Sequence, residues 1–349
     1  MSIELGGAAT RDSLSHELRA KPRATSVEPH WESRFAHGLP AGRPDDGYLW
    51  AWRDTREIML EIREVSSPSV VGRRVVSLID PRSRYPDGDW AVGFVAATLQ
   101  MLKPGERARP QRQSINAMGF VLESIGAAKT IVDGKHCLMA PSDLVLTAAC
   151  TRHSHVHDGA GPVIWLDMLD VGLYRVLGNE SFQAGPIVDQ PSQWDDAAFG
   201  VTDMVPFVDG EDRGHSPVFR YSCADAVRAW SAAPPGADGM PRVRYAYSST
   251  GGESLATLEP TLIEIEGGAA TARVTVAVDT ALCVVEGSGR AFMGDTRKGL
   301  GEKGVFTVPF NRPLRLGVDP GRPAQLFVVS NAPVFHKLGL YRSSIEASA

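Results

Sequence analysis

Residues 119–153, GFVLESIGAAKTIVDGKHCLMAPSDLVLTAACTRH, decide the fold, because their texture returns at residues 282–314 as LCVVEGSGRAFMGDTRKGLGEKGVFTVPFNRPL. Superposing the runs sets Glu123 on Glu286, Gly126 on Gly289, and Leu146-Thr147 on Thr307-Val308. Each copy reads as an apolar run, a glycine turn, a second run and a turn into a third, which is strand texture repeated at an offset of about 160 residues. Asp133-Gly134, between TIV and KHCLM, signals a tight hairpin because glycine supplies the positive φ that such a turn requires. The runs RRVVSLID, WAVGFVAATLQML and PVIWLDML extend the first copy, and TLIEIE, ARVTVAVD and QLFVVSN the second. The expectation is an all-β chain of two small jelly-roll barrels with a few short helices.

Working outward, 349 residues suit two such domains with connecting segments. Residues 1–47, rich in Arg, Ser, Pro, Gly and Ala, read as a loosely ordered arm. Residues 48–180 form the N-terminal barrel domain, opening on a helix in YLWAWRDTREIMLEI that Asp54 is placed to cap. Residues 181–254 are a connection with one helix, Ala224 to Ala232, and residues 255–349 are the second barrel. A composition of 43% hydrophobic and 22% charged residues is that of a globular protein. The net charge of −5 supplies no basic face, which argues against nucleic acid or an anionic membrane as partner and for a small molecule. Cys137, Cys150, Cys223 and Cys283 form no CxxC pair and read as reduced, buried thiols. No run approaches the ~18 apolar residues of a membrane span, and MSIELGGAATRDS lacks the pattern of a secretory signal, so the expected location is cytoplasmic.

The runs LQMLKPGE, SDLVLTAACTRHSH, GPVIWLDMLDVGLYRVL, PVFRYSCADAVRAW, RYAYSSTGG and LCVVEGSGR resemble the gentisate 1,2-dioxygenase family, with its salicylate and 1-hydroxy-2-naphthoate relatives, from about Tyr48 to Arg342. The resemblance implies a bicupin, a homodimer or homotetramer, whose N-terminal barrel holds Fe(II). It also implies an O2-dependent opening of a small aromatic or hydroxylated carboxylic acid, between the carboxylate-bearing carbon and its hydroxylated neighbour. In that family three histidines hold the iron, leaving open positions for substrate and O2. Here Gln111 and Gln113 stand at the first two ligand positions and only His153 remains, at the third. The family's carboxylate-binding arginine is replaced by Gly119, whereas its substrate-touching histidine is matched by His155 and its acidic residue by Asp167.

Read from the residues themselves, His153, His155 and His157 alternate along an extended segment and share one side of it. Gln111 and Gln113 also alternate, facing the barrel interior either as a hydrogen-bonded plug around His153 or as groups that read a ligand. Asp167 lies on an apolar strand and needs a partner, for which His155 is the candidate. The candidate catalytic residues are therefore His155 and Asp167. Gln111, Gln113 and His157 are the candidate substrate contacts, and His153 the remaining metal ligand. By the resemblance, Arg73 and Arg74 fall close to where relatives carry an arginine near the substrate carboxylate, but solvated surface is the preferred reading, and Trp90 and Trp165 read as core. In the second barrel Val274, Val276 and Leu314 occupy the positions of Gln111, Gln113 and His153, so that barrel reads as packed, structural and without metal ligands. Three functions stay open: a ring-cleaving dioxygenase, a metal-independent enzyme using His155 and Asp167 for isomerisation, decarboxylation or cyclisation, and a non-catalytic ligand-binding protein.

Overall fold

The repeat is realised strand by strand. The computed structural model describes residues 46–82, 91–185, 215–247 and 251–346. Trp90, most of the expected N-terminal arm and the middle of the connection lie outside the described residues. In the first half, Leu144–Thr147, Ala117–Glu123, Val163–Leu169 and Ala96–Leu102 lie side by side in one sheet. Arg107–Gln113, Arg152–His157, Ala128–Val132 and Lys135–Leu138 form the other. In the second half, Val305–Val308, Thr280–Glu286, Ala324–Ser330 and Glu259–Ile265 take the same order, with Arg273–Val276, Pro313–Val318, Gly289–Met293 and Thr296–Leu300 as the other sheet. Two antiparallel barrels of one topology result, the all-β bicupin expected.

Register tests the equivalence directly. Gln111 pairs with His153, and Val274 pairs with Leu314, so the three positions correspond as aligned. One alignment pair is corrected. Ala128 pairs with His157 and Gly289 with Val318, which makes Gly126 the counterpart of Gly287 rather than of Gly289. Both Gly126 and Gly287 adopt positive φ, 62° and 84°, where a side chain is disfavoured. The Asp133-Gly134 turn joins Val132 to Lys135 with both residues at positive φ, 44° and 83°, as a tight hairpin requires.

Ala117–Glu123 and Val163–Leu169, central in the first half's larger sheet, are buried on both faces and read as nearly continuous apolar runs. Ile164, Leu166 and Met168 face the other barrel in a core shared by the two halves, where Phe120 stacks on Phe327 at 4.2 Å. The alternate residues Val163 and Trp165 face the interior of their own barrel, and Asp167 falls in that second register. Edge strands cross between halves: Leu49–Trp50 borders the second barrel at Val305-Phe306, and Arg220–Tyr221 borders the first at Leu144-Val145. The first helix spans Trp52–Val65; Ala51 is its cap, without a side-chain bond, and Asp54 sits inside the first turn, where its charge meets the helix dipole. The connection's helix, Cys223–Ser231, is capped by Ser222, which accepts from the Asp225 amide. Cys137 and Cys283 are buried, but Cys150 is exposed, in a positive-φ turn that turns its side chain outward. Among the described residues no helix is long and apolar enough to cross a membrane.

Arg74 corrects the expectation of solvated surface. Its side chain is fully enclosed and clamps Glu106 with two bonds of 2.7 and 2.9 Å, while also donating to the Met101 and Ser66 carbonyls. Glu106 in turn accepts from the Lys103 amide at 2.7 Å, closing the KPGE turn. Removing one partner of a buried ion pair strands the other, so Arg74→Met is expected to lower unfolding free energy by about 3–5 kcal/mol, read by urea denaturation.

Candidate functional site

The polar groups of the first barrel converge from both of its sheets. Gln111, His153 and His155 come from the Arg107–Gln113 and Arg152–His157 strands, and Gln100, Trp165 and Asp167 from the opposite wall. Gln111 Nε2 donates to Gln113 Oε1 at 3.1 Å and meets His153 Nε2 at 3.2 Å. The plug is thus what the two amides and His153 make. With the amide N–H directed at Nε2, the imidazole proton is assigned to Nδ1, which lies toward the Thr151 backbone without hydrogen-bond geometry.

His155 is held differently. Thr130 Oγ1 donates to Met139 Sδ at 3.3 Å and bonds His155 Nδ1 at 3.0 Å. A hydroxyl has one proton, so His155 Nδ1 is assigned as the donor and the lone pair lies on Nε2. That nitrogen has no hydrogen-bond partner among the described residues. Trp165 packs against the ring at 4.8 Å between centroids.

The expected pairing of His155 with Asp167 is not made. The two stand on opposite sheets with Trp165 beside the histidine, and Gln100 Nε2 donates to Asp167 instead. His157 is likewise corrected as a ligand contact: its Nε2 donates to the Gly161 carbonyl at 2.6 Å, and its Nδ1 accepts from the Gly159 amide at 3.4 Å. Both ring nitrogens are spent on the strand-end loop.

Arg73, for which solvated surface was the preferred reading over a place near a substrate carboxylate, faces the polar groups of the first barrel. The two arginines sit in the bend between Gly72 and the strand that begins at Val75, where alternation along a strand does not fix which way each side chain turns. Arg74 turns to Glu106, whereas the Arg73 charge acts on Asp167, His153 and His155. Arg73 Nη2 donates to the Arg109 carbonyl at 3.3 Å, and its enclosed Nε has no partner. Burial lowers Arg73 to about 10 against the pull of Asp167, which leaves it fully protonated at neutral pH. Burial, then the Arg73 charge, lowers His153 to about 3 and holds His155 well below its ordinary range, so both imidazoles are neutral. Burial raises Asp167 to about 7, against the Gln100 bond and the Arg73 charge. Gly119 makes room for this wall: an added Cβ would lie 3.0 Å from Trp165 Cδ1 and 3.1 Å from Asp167 Oδ1.

A raised carboxyl pKa means that the folded chain keeps a proton that the unfolded chain releases. Its contribution to stability is full below about pH 4 and is lost as pH climbs to about 7. Asp167→Asn removes this dependence. Between pH 5 and 8 the unfolding free energy of the unmodified protein should fall by about 2–3 kcal/mol more than that of the variant, at about 1.4 kcal/mol per unit. Denaturant titrations at the two pH values check this. Asp170, raised to about 6 by burial, and the histidines contribute to both curves and cancel in the difference.

The residues do not fit the iron of the resembling family. One imidazole, its Nε2 met by an amide N–H, and two neutral amides bonded to one another are not three imidazoles converging on a cation. Among the described residues no three His, Cys, Asp or Glu side chains group as metal ligands.

The fold is that of a bicupin, with a cluster of buried polar side chains inside the N-terminal barrel. Over nearly its whole length the chain is similar to the gentisate 1,2-dioxygenase-like family. It is 27% identical to the 5-aminosalicylate 1,2-dioxygenase of a Comamonas species, covering 95% of this chain and 90% of that one. It is 29% identical to gentisate 1,2-dioxygenase 1 of Aquipseudomonas alcaligenes, over 94% and 95% of the two chains. The crystal structure of salicylate 1,2-dioxygenase from Pseudaminobacter salicylatoxidans superposes with a TM-score of 0.83 at 25% identity, covering 93% of this chain and 95% of that one. No protein-family model matches the chain.

Proposed function

We propose that the first barrel binds a small aromatic or hydroxylated carboxylate against Arg73 and moves protons on it with Asp167 and His155, without iron. The observation that carries this reading is the Arg73 guanidinium, charged, with an enclosed and unpartnered Nε, set among a carboxyl poised near neutrality and two neutral imidazoles. An arginine is suited to a carboxylate because its planar fork offers two parallel donors. Asp167 can give or take a proton near pH 7, and His155 Nε2 offers a lone pair from the other wall. A donor and an acceptor on two sides of a bound acid are the equipment of an isomerase or a decarboxylase. The whole-length similarity to ring-cleaving dioxygenases supports the aromatic acid as substrate class. It also favours a second reading, iron-dependent ring opening, which the ligand set disfavours.

The test is the pH dependence of salicylate binding, measured by calorimetry. A bound carboxylate draws on the Arg73 charge that now stabilises ionised Asp167, so binding favours the protonated carboxyl. Affinity should be level below about pH 7 and fall about tenfold per unit above it, and Asp167→Asn should be level throughout. A pH-independent affinity in the unmodified protein would remove Asp167 from the site.

A further inference from the structure

The interior of the second barrel, expected to be packed, holds a cavity of about 460 Å³. That volume lies within the range of roughly 300–1,000 Å³ typical of small-molecule sites. Part of the interior is filled: Met293, Leu300 and Phe306 are buried in one apolar cluster. The cavity continues from that cluster, since Leu282, Val308 and Leu316 belong to both. Val274, Val276, Leu314 and Val328, from three strands, carry its apolar wall further. These four are only half-buried, so they border open space instead of completing the core.

The two barrels differ at one and the same place. Val274 pairs with Leu314 as Gln111 pairs with His153, which sets Val276 in the position of Gln113. In the first barrel this place is closed, with Gln113 and His153 only 8% and 3% exposed and joined through Gln111. In the second barrel it is open, and valine and leucine have taken the place of the amides and the imidazole. A charged group set among these side chains would be stripped of water with no partner from them, whereas an uncharged apolar molecule gains in proportion to the area it removes from water. Where the lining reaches solvent, Arg242 is paired with Asp238 and Arg244 with Glu259 at 2.9 Å, so each of these guanidinium groups already has its carboxylate.

We propose that the second barrel binds a small, uncharged, predominantly apolar molecule, held among Val274, Val276, Leu314 and Val328 against the packed core. This binding is separate from the proton chemistry proposed for the first barrel and does not rest on it.

Phenylnaphthylamine, a neutral dye whose emission rises in apolar surroundings, is the probe, titrated into the full chain and excited directly. Saturable binding at one site per chain is expected. Anilinonaphthalene sulfonate, which carries the same aromatic body with an added charge, should bind more weakly by about tenfold or more. Val276→Trp and Leu314→Trp, on two different strands, each place an indole in the hollow. Each should fold, because open space receives the larger side chain, and each should weaken the neutral dye by about tenfold or more. Absence of saturable binding to the unmodified chain would overturn the proposal, as would full affinity in either folded variant, which would put the dye elsewhere. Equal or tighter binding of the sulfonate would overturn the uncharged ligand class. Loss of a cooperative thermal transition in both variants would show that the hollow cannot take an indole, and would overturn the proposal as well.

Discussion

Replacing Gln111 and Gln113 together by histidine is expected to turn a chain that purifies with far less than one iron per molecule into one that binds a transition metal stoichiometrically at His153. The register explains why two substitutions suffice. Gln111 stands directly opposite His153 on the neighbouring strand, and Gln113 alternates with it on the same face, near enough for the amides to bond at 3.1 Å. Imidazoles at those positions would bring three neutral nitrogen donors to one point, and each replaces an amide that bonds a soft divalent cation poorly. An increase in affinity of several orders of magnitude is the expected scale. Elemental analysis of both proteins, purified without chelator or added metal, checks it. Ring opening of gentisate should not follow. The family resemblance implies a carboxylate-binding arginine at the position of Gly119, and even a Cβ there would press on Trp165 and Asp167 at 3.0 and 3.1 Å.

Arg73→Met is expected to weaken salicylate binding by about 30-fold or more, since truncating one partner of a buried charge pair costs about 2–5 kcal/mol and each 1.4 kcal/mol is tenfold. The substitution keeps much of the side chain's volume and removes the charge. Its second effect separates electrostatics from packing. Without the guanidinium, ionised Asp167 loses a stabilising neighbour, so its pKa should rise above the present value of about 7. His153 and His155 lose a repelling neighbour and should become easier to protonate. Carboxyl and imidazole titrations followed by NMR check both directions. A packing role alone would lower affinity without moving either titration.

Most of the fold was legible because strand texture, glycine turns and a repeat are local signals. The edge strands were not, since Leu49–Trp50 gains its partner from Val305-Phe306, more than half the chain away, and nothing near Leu49 announces it. At the site, alternation correctly placed Gln111, Gln113, His153 and His155 on the barrel interior, because a strand fixes which face a side chain takes. It offered the plug of Gln111 and Gln113 around His153 but did not reveal what His155, His157 and Asp167 would touch. Asp167 required a partner, as its burial demanded, but the choice between His155 and Gln100 turned on which sheet each belongs to and on the bulk of Trp165 between the walls. Gln100, the polar exception in the run TLQML, is the signal that points to this partner. His157 shared the right face but stood at the strand end, where Gly159 and Gly161 bring the loop back over its ring. The opposite fates of Arg73 and Arg74 were not legible because both lie in the bend before the Val75–Ser77 strand, where no periodicity assigns a side chain to a face.

In the function proposed here, the polar cluster of the first barrel recognises an aromatic carboxylate through Arg73 without the help of iron. The most direct measurement is the salicylate affinity of one preparation divided in two, one half stripped with chelator and the other incubated anaerobically with Fe(II) before titration. Equal affinity in the two halves is the predicted result. Binding only in the iron-loaded half, with stoichiometric iron retained there after desalting, would contradict the account and make iron-dependent oxygenation the leading reading.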